Sequence, residues 1–306
     1  MLRYGIRRLL QSVPTVLIVS IVVFLMMHLA PGDPVRMMSD RTATPEDIEN
    51  LRRHLGLDEP LHVQYSKWLG RVLQGDLGTS LRSRVPISDE ISRRLPRTLA
   101  LTVASLSYSV FFGVVAGVVC SVRSGSPLDT SVMVLAVLGM SVPAFWLGLM
   151  LILVFSVMLN WLPSGGVGTW RHLVLPAFSL GVSGMGLIAR MTRSTMLDVL
   201  AQDYIRTARA KGLAERTVLY RHALRNAMIP TVTIVGLQFG MLMAGAVITE
   251  SVFSWPGMGW LLVRSIQDRD FPVVQGAVLV ASIGIVLTNV VVDMLYGMLN
   301  PKIRYE

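Results

Sequence analysis

Residues 203–230 read DYIRTARAKGLAERTVLYRHALRNAMIP, a densely basic run inside a chain that is otherwise mostly apolar. The 306 residues are 52% hydrophobic and only 15% charged, with a mean hydropathy of +0.57. Soluble domains carry about 25% charged residues. The composition therefore indicates an integral membrane protein, and a basic run between apolar segments is typical of a cytoplasmic loop.

Apolar runs lie on both sides of this basic loop. A spanning helix needs about 20 mostly apolar residues, and six runs contain enough of them: Leu9–Ala30, Thr98–Val122, Thr130–Trp161, Leu173–Met191, Pro230–Thr249 and Phe271–Leu299. The run 130–161 contains Pro143 and is too long for one straight helix, so it is either one kinked span or a span with a re-entrant piece. One long kinked element is predicted there, and Pro230 stands where a helix begins comfortably. The fold class predicted is all-α, with about six transmembrane helices.

The distribution of positive charge predicts the orientation. Arg3, Arg7 and Arg8 precede the first run, which places the N-terminus in the cytoplasm. A cleaved signal peptide is the alternative, but the apolar run is too long and no convincing cleavage site follows it. Residues 189–229 hold eight Arg or Lys against three Asp or Glu. With six spans, both termini are predicted to be cytoplasmic.

Residues 31–97 have a different character, with mixed charges and turn signals at PGDP, LDEP and GDLGTS. TPEDIENLRRHLGL predicts a short helix with Thr44 as N-cap, Asp47 three residues on, and Gly56 as its stop. The predicted organisation is a cytoplasmic N-terminus with the first span (1–30), an outer, partly helical segment (31–97), a five-helix core (98–300) containing the basic loop (193–229), and a cytoplasmic tail (301–306).

The basic loop also has a helical pattern. Leu200, Tyr204 and Ala208 recur at fourfold spacing, which predicts one helix face, and Gly212 suits the left-handed residue that ends a helix. A second helix is predicted at 214–226. A loop that only sets orientation and meets anionic lipid is the alternative. Paired helices with small residues favour a protein-docking surface.

RTARAKG (206–212) followed by HALRNAMIP (222–230) resembles the EAA loop of ABC importer permeases, in which this loop forms the coupling helix that fits a groove on the ATPase subunit. The chain departs from the general pattern at Arg206, where glutamate is usual, and in its closing proline, which is shifted to Pro230. Both departures resemble the B-type permeases of dipeptide, oligopeptide, glutathione and nickel importers. The resemblance implies that the ATPase-docking residues are Tyr204, Arg206, Thr207, Ala208, Arg209, Ala210, Lys211, Gly212 and Leu213.

Further segments resemble the same branch over essentially the whole chain: LAPGDPV, LGLDEPLHVQY, GDLGTS, SVPAFWLGL, ESVFSWPGMGWLL and NPKIRY. The resemblance implies an ABC type I importer permease fold in the bacterial inner membrane, moving small peptides (dipeptide, oligopeptide or glutathione) by alternating access. Nickel or another small solute is the alternative. The implied partners are a homologous second permease, two ATP-binding subunits, an extracytoplasmic solute-binding protein and membrane lipid, with no nucleic acid.

Sequence motifs for chemistry on this chain are missing. No GxxxxGK[ST], HExxH or GxSxG occurs. The chain is therefore expected to be a transport subunit and not an enzyme, with no cofactor of its own, while ATP and Mg bind to partner subunits. No metal site is predicted, since His28 and His172 lack partner ligands. An ion-gradient-driven transporter would need buried acidic residues at the midplane and often shows inverted repeats, and neither is evident.

Ionisable and polar residues in or beside the spans are the remaining candidates. Glu250 precedes the FSWPGMGW segment at the outer edge, where it is either interfacial or shapes the outer gate. Arg190 and Asp293 fall near cytoplasmic helix ends and could pair or extend to the headgroups. The candidate pathway or gate residues are Gln238, Glu250, Trp255, Pro256 and Gly257.

Overall fold

The structure is a computed structural model that describes residues 2–29, 44, 46, 49 and 58–299. Within these residues the fold is all-α, apart from one isolated antiparallel bridge between Thr79 and Pro86. The predicted all-α class is confirmed. Of the helix predicted at 44–57 only residues 44, 46 and 49 are described, which does not test it, and the NPKIRY tail lies outside the described residues.

The helices follow the chain in a simple order. They are α1 (Leu2–Leu29), α2 (Leu61–Leu73), α3 (Ile87–Val122), α4 (Pro127–Ser141), α5 (Ala144–Leu151), α6 (Arg171–Leu200), α7 (Asp203–Ala210), α8 (Glu215–Thr217), α9 (Arg225–Val252), α10 (Met258–Gln267) and α11 (Phe271–Leu299). A π-helical segment (Ile152–Met158) continues α5, and a second one (Val218–Leu224) joins α8 to α9 without a break.

Five helices in the described part of the chain are long and apolar enough to cross a membrane. These spans are Arg7–Met27, Ile87–Val122, Arg171–Leu200, Glu215–Val252 and Phe271–Met294. A sixth is present if the pair Pro127–Ser141 and Ala144–Met158 counts as one span. The prediction of about six transmembrane helices agrees with this arrangement.

The region around Pro143 differs from the single kinked element predicted for 130–161. The helices on either side of this residue meet at 102°. Val142 and Pro143 both adopt extended backbone angles between them. A proline removes a helical N–H and pushes the preceding residue out of the helical region, so α4 ends there and a new helix begins.

Two predicted helix boundaries in the basic loop are wrong. Leu200 is the last residue of α6, and Gln202 is extended before α7 begins, so Leu200 does not share a helix face with Tyr204. Pro230 does not begin a span, because it lies inside a helix that runs continuously from Glu215 to Val252. A proline at a helix start and one inside a helix are alike in local sequence, so the apolar run alone does not locate this boundary.

The chain forms two compact units. The larger unit contains Pro96–Trp260 with a short piece from each end of the chain. Its central helix is α6, of which 61% of the most apolar window is buried, against 17–33% for the other four spans. Gly113 and Gly117 of α3 lie so close to Ile188 and Thr192 of α6 that a Cβ on either glycine would collide. Small residues thus allow α3 to pack tightly against α6 within this chain.

The smaller unit contains Ile6–Leu95 and Leu261–Val286. Its aromatic cluster is formed by Phe24 of α1 with Tyr65 and Trp68 of α2. The buried carboxylate of Asp270 accepts hydrogen bonds from Ser80 Oγ at 2.5 Å and from the backbone N–H of Leu81 at 3.1 Å. These contacts hold the turn that contains the Thr79–Pro86 bridge.

Candidate functional site

The inner side of α7 is held in a hydrophobic core of the larger unit. Ile205 is fully buried and Ala208 is 7% exposed. This coupling core draws side chains from α3, α6, α7 and the helix that begins at Glu215: Val118, Met196, Ile205, Ala208, Val218, Ala223 and Ala227. The short helix is therefore fixed to three long helices at once.

Gly212 ends α7 in the way the sequence predicts. Its φ is +74°, in the left-handed region that glycine adopts at little cost. The N–H of Leu213 donates to the Ala208 carbonyl at 3.4 Å, and the N–H of Gly212 donates to the Arg209 carbonyl at 2.9 Å. This pair of bonds is a Schellman motif. A Cβ on Gly212 would meet no atom within 4 Å, so the space beside it is open.

The outward side of α7 is basic and accessible. Of the nine predicted docking residues, those exposed are Tyr204, Arg206, Thr207, Arg209, Ala210, Lys211, Gly212 and Leu213. We call these eight residues the α7 surface. Ala208 is different, because it faces the coupling core, where a small side chain lets α7 approach its neighbours.

Polar contacts fix several of these side chains. Arg209 forms a two-fold contact with Glu215, with its Nη2 at 2.7 Å and its Nε at 3.2 Å from the carboxylate oxygens. This hydrogen-bonded carboxylate raises the pKa of Arg209 above its already high ordinary value, so Arg209 is cationic at any physiological pH. Tyr204 Oη accepts a hydrogen bond of 2.8 Å from Asn226 Nδ2. The side chain of Lys211 has no hydrogen bond or ion pair among the described residues, while its backbone N–H donates to the Thr207 carbonyl at 3.1 Å.

An ion pair joins α6 to the first turn of α4. Arg193 Nε and Nη2 donate to the two carboxylate oxygens of Asp129 at 2.6 and 2.7 Å. The Asp129 side chain is 4% exposed and that of Arg193 is 28% exposed. The sequence patterns singled out Arg190, which is exposed, and not Arg193. The missed signal is an acidic residue in the first turn of a helix that follows a short basic loop.

Glu250 is fully buried and carries several hydrogen bonds. Its Oε1 accepts from Thr98 Oγ1 at 2.6 Å, and its Oε2 accepts from the N–H of Trp260 at 3.0 Å. Thr98 Oγ1 in turn accepts from the N–H of Met258 at 2.8 Å. The first N–H groups of α10 are thereby satisfied from α9 and α3, which is capping by side chains distant in sequence.

The other candidate gate residues surround this carboxylate. Trp255 is 5% exposed, and its indole N–H donates to the Arg97 carbonyl at 3.1 Å. Pro256 is half-buried and Gly257 is buried. A Cβ on Gly257 would overlap the Glu250 carboxylate, so only glycine fits at that position. Residues 253–257 together with the first turn of α10, which we call the 253–260 loop, are therefore held in one conformation by Glu250 and Thr98.

Gln238 lies deeper in the same unit. It is 8% exposed in α9, and its Nε2 would lie 3.0 Å from a Cβ placed on Gly184 of α6. Ser109 of α3 borders the same position and donates to the Gly181 carbonyl at 2.6 Å. Gln238 thus faces a polar seam between helices.

No group of three or more His, Cys, Asp or Glu side chains that could hold a metal occurs in the described ranges. The described chain is thus a helical membrane protein with five or six candidate spans and an exposed basic helix between two of them. Two family models match the chain: "Binding-protein-dependent transport system inner membrane component" over residues 109–305, and "Binding-prot-dependent transport system membrane comp, N-term" over residues 1–102.

Curated relatives match over the whole length. The glutathione transport system permease protein GsiC of Salmonella paratyphi A is 50% identical over 307 residues, and its counterpart in Escherichia coli O6:H1 is 49% identical over 306 residues. Both alignments cover 100% of each chain. The chain belongs to the binding-protein-dependent transport system inner membrane component family.

Solved structures agree on the fold. An inward-facing MetNI methionine ABC transporter matches with a TM-score of 0.59 and 20% identity, over 69% of this chain and 96% of that chain. An amino acid ABC transporter with histidines matches with a TM-score of 0.53 and 14% identity, over 68% and 94%. The chain is a multi-pass permease subunit of an ABC importer in the bacterial inner membrane. ATP hydrolysis resides in separate subunits, and the family implies a partner permease, ATP-binding subunits and a binding protein.

Proposed function

We propose that this chain forms part of the pathway by which glutathione or another small peptide is imported. The observation that carries the proposal is the 50% identity to glutathione transport permeases over the full length of both chains. Nickel or another small solute is the second candidate, favoured only by the motifs that the peptide and nickel branches share.

The proposed energy input is through the α7 surface. We place the loop 193–229 and both chain ends on the cytoplasmic side, in accord with the excess of positive charge in that loop. There the α7 surface lies in a groove of an ATP-binding subunit. Ile205 and Ala208 belong to the coupling core, so a push on α7 displaces α3, α6 and α9 together. That displacement opens the pathway alternately to the two sides.

The 253–260 loop is proposed to lie on the opposite, outer side. Trp255 and Gly257 are buried while Ser254 is exposed, so the loop offers its backbone and few side chains to a partner. We propose that an extracytoplasmic solute-binding protein docks partly on this loop and partly on residues 31–97. The hydrogen bonds of Glu250 would keep the loop in shape during docking.

The proposal is tested by reconstituting the chain with the subunits that co-purify with it. The tagged chain is purified from detergent-solubilised native membranes, and the proteins that co-purify with it are identified by mass spectrometry. The recovered complex and its binding protein are then placed in liposomes with labelled glutathione, a labelled dipeptide or radioactive nickel. ATP-dependent uptake of glutathione or dipeptide supports the proposal, while uptake of nickel alone replaces the solute class.

An ion-gradient-driven transporter is the rival mechanism. Such a protein needs acidic groups that gain and lose protons or ions during transport. The fully buried acidic side chain Glu250 is fixed by Thr98 and by the backbone of α10, which favours a structural role. Uptake by the chain alone, without ATP and driven by a proton gradient, would overturn the importer mechanism.

A further inference from the structure

We propose that the ion pair between Asp129 and Arg193 is the link that makes the start of α4 move with α7 during the transport cycle. Both are positioning residues, since they act on helices and not on the solute. The inference rests on the proposed role of the α7 surface in docking. It extends the route for motion beyond the coupling core, from α6 to α4 and through α4 to the sharp bend at Pro143.

The Asp129 carboxylate accepts three hydrogen bonds, two from Arg193 and one from the backbone of Gly125. Two parallel N–H···O bonds join the guanidinium and the carboxylate, which fixes direction as well as distance. Asp129 Oδ2 also accepts from the N–H of Gly125 at 2.9 Å, and Ser126 caps α4 by accepting from the N–H of Asp129. The α3–α4 turn and the first turn of α4 are thus tied to one side chain of α6.

Arg193 lies close to α7 along α6. Seven residues separate Arg193 from the end of α6 at Leu200, which is a distance of about 10 Å along a helix axis. Met196, one turn after Arg193, is fully buried in the coupling core with Ile205 and Ala208. Movement of α7 therefore reaches Arg193 through packed side chains within one compact unit.

Farther along α4, close packing holds it against α6. Gly186 of α6 is in close contact with Ala136 of α4, and Gly139 of α4 with Val182 of α6. These contacts lie in the second half of α4, away from its first turn. Among the described residues, the ion pair is the hydrogen-bonded contact that joins the first turn of α4 to α6, so its removal is expected to free that end from α6 while leaving the rest of α4 packed.

The competing explanation is that the ion pair only stabilises the fold. The two explanations differ in their effect on the amount of solute taken up per ATP hydrolysed. Asp129→Asn keeps the shape and removes the charge. Arg193→Lys keeps the charge and removes the paired geometry. Asp198→Asn is the matched control, because Asp198 is an exposed acidic residue of α6. All are assembled with the partner permease, ATP-binding subunits and binding protein in liposomes, with labelled glutathione as solute.

For Asp129→Asn we expect an assembled complex whose ATP hydrolysis stays within about twofold of wild type while uptake per ATP falls at least tenfold. The uptake per ATP of Arg193→Lys is expected to lie between the values of wild type and Asp129→Asn. That of Asp198→Asn is expected to match wild type. Unchanged uptake per ATP in Asp129→Asn overturns the proposal, as does a parallel loss of uptake, hydrolysis and thermal stability. If Asp129→Asn does not assemble, the same criteria apply to Arg193→Lys. Failure of docking by the α7 surface would instead stop the wild-type complex from assembling.

A distance measurement gives an independent readout. Spin labels are attached at Ser124→Cys and Gln202→Cys, two exposed positions beside the α3–α4 turn and at the start of α7, both outside the α7 surface. Cys120 is buried, so labelling is directed to the introduced thiols. In wild type, one narrow distance should persist with and without nucleotide. In Asp129→Asn it should broaden or shift when nucleotide binds. A distance that is equally fixed in both proteins overturns the proposal.

Discussion

Thr98 Oγ1 donates a hydrogen bond of 2.6 Å to Glu250 Oε1 and accepts one of 2.8 Å from the N–H of Met258. One hydroxyl group thereby joins α3, α9 and the first turn of α10. Such a buried group satisfies donors that would otherwise be left unpaired at a helix start. The carboxylate and the hydroxyl therefore determine the conformation of the 253–260 loop, which carries three of the candidate gate residues.

Replacing Glu250 by alanine should destabilise the protein strongly. The change leaves the Trp260 N–H and the Thr98 hydroxyl without their acceptor, at a cost of about 2 kcal/mol for each buried polar group. The thermal unfolding midpoint of the purified permease in detergent measures the effect. Glu215→Ala is the control in the same continuous helix, because Glu215 forms only an exposed pair with Arg209 and its loss should leave the midpoint nearly unchanged. Equal midpoints for the two variants would contradict the structural role of Glu250.

Gly257→Ala tests the close approach of the 253–260 loop to this carboxylate. A Cβ at position 257 overlaps the Glu250 side chain, so the loop or the carboxylate has to move. We expect a lower unfolding midpoint and increased proteolysis within residues 253–260. Gly70→Ala is the matched control, because a Cβ there meets nothing within 4 Å and alanine is the better helix former. An unchanged protease pattern in Gly257→Ala would show that the loop tolerates the methyl group.

The sequence predicts the parts of this fold that depend on local pattern. Hydropathy places the membrane spans, and the left-handed backbone at Gly212 follows from its position after a helical run. The break between α4 and α5 at Pro143 cannot be predicted in this way, because a proline in a long apolar run is compatible with either a kinked helix or two separate helices. The continuation of α9 through Pro230 does not follow either, because a proline beside an apolar run fits a helix start as well as a helix interior.

The site is predicted less completely than the fold. The resemblance identifies the α7 surface by its motif, but it does not show that Ala208 turns away from that surface. The pair of Asp129 with Arg193 joins residues 64 positions apart, and no local periodicity relates them. The burial of Glu250 is likewise missed, because its position at the end of an apolar run fits an interfacial residue equally well.

Ala208 and Ala210 separate packing from docking on one short helix. Ala208 is buried in the coupling core, so Ala208→Leu overfills it and should lower stability by about 1–3 kcal/mol. Ala210 is exposed, so Ala210→Leu should leave stability unchanged. Its bulk should instead weaken binding of the ATP-binding subunits, measured by co-purification of the complex. If Ala210→Leu binds them normally and Ala208→Leu unfolds like wild type, the assignment of the two faces of α7 is wrong.

Gly212→Arg tests docking at the end of α7. A Cβ at position 212 meets no atom within 4 Å and the residue is exposed, so an arginine there can extend into solvent and the protein should still insert into the membrane. Its bulk projects into the space where the ATP-binding subunit is proposed to lie, and uptake should fall at least tenfold. Gly212→Ala carries the cost of a Cβ at positive φ without the bulk, and Gly212→Asn carries a side chain that tolerates this conformation. Both controls should transport within about twofold of wild type in the reconstituted complex. Normal import by Gly212→Arg would show that the α7 surface does not dock at Gly212, whereas a loss in Gly212→Ala as large as in Gly212→Arg would assign the effect to the backbone of the helix end.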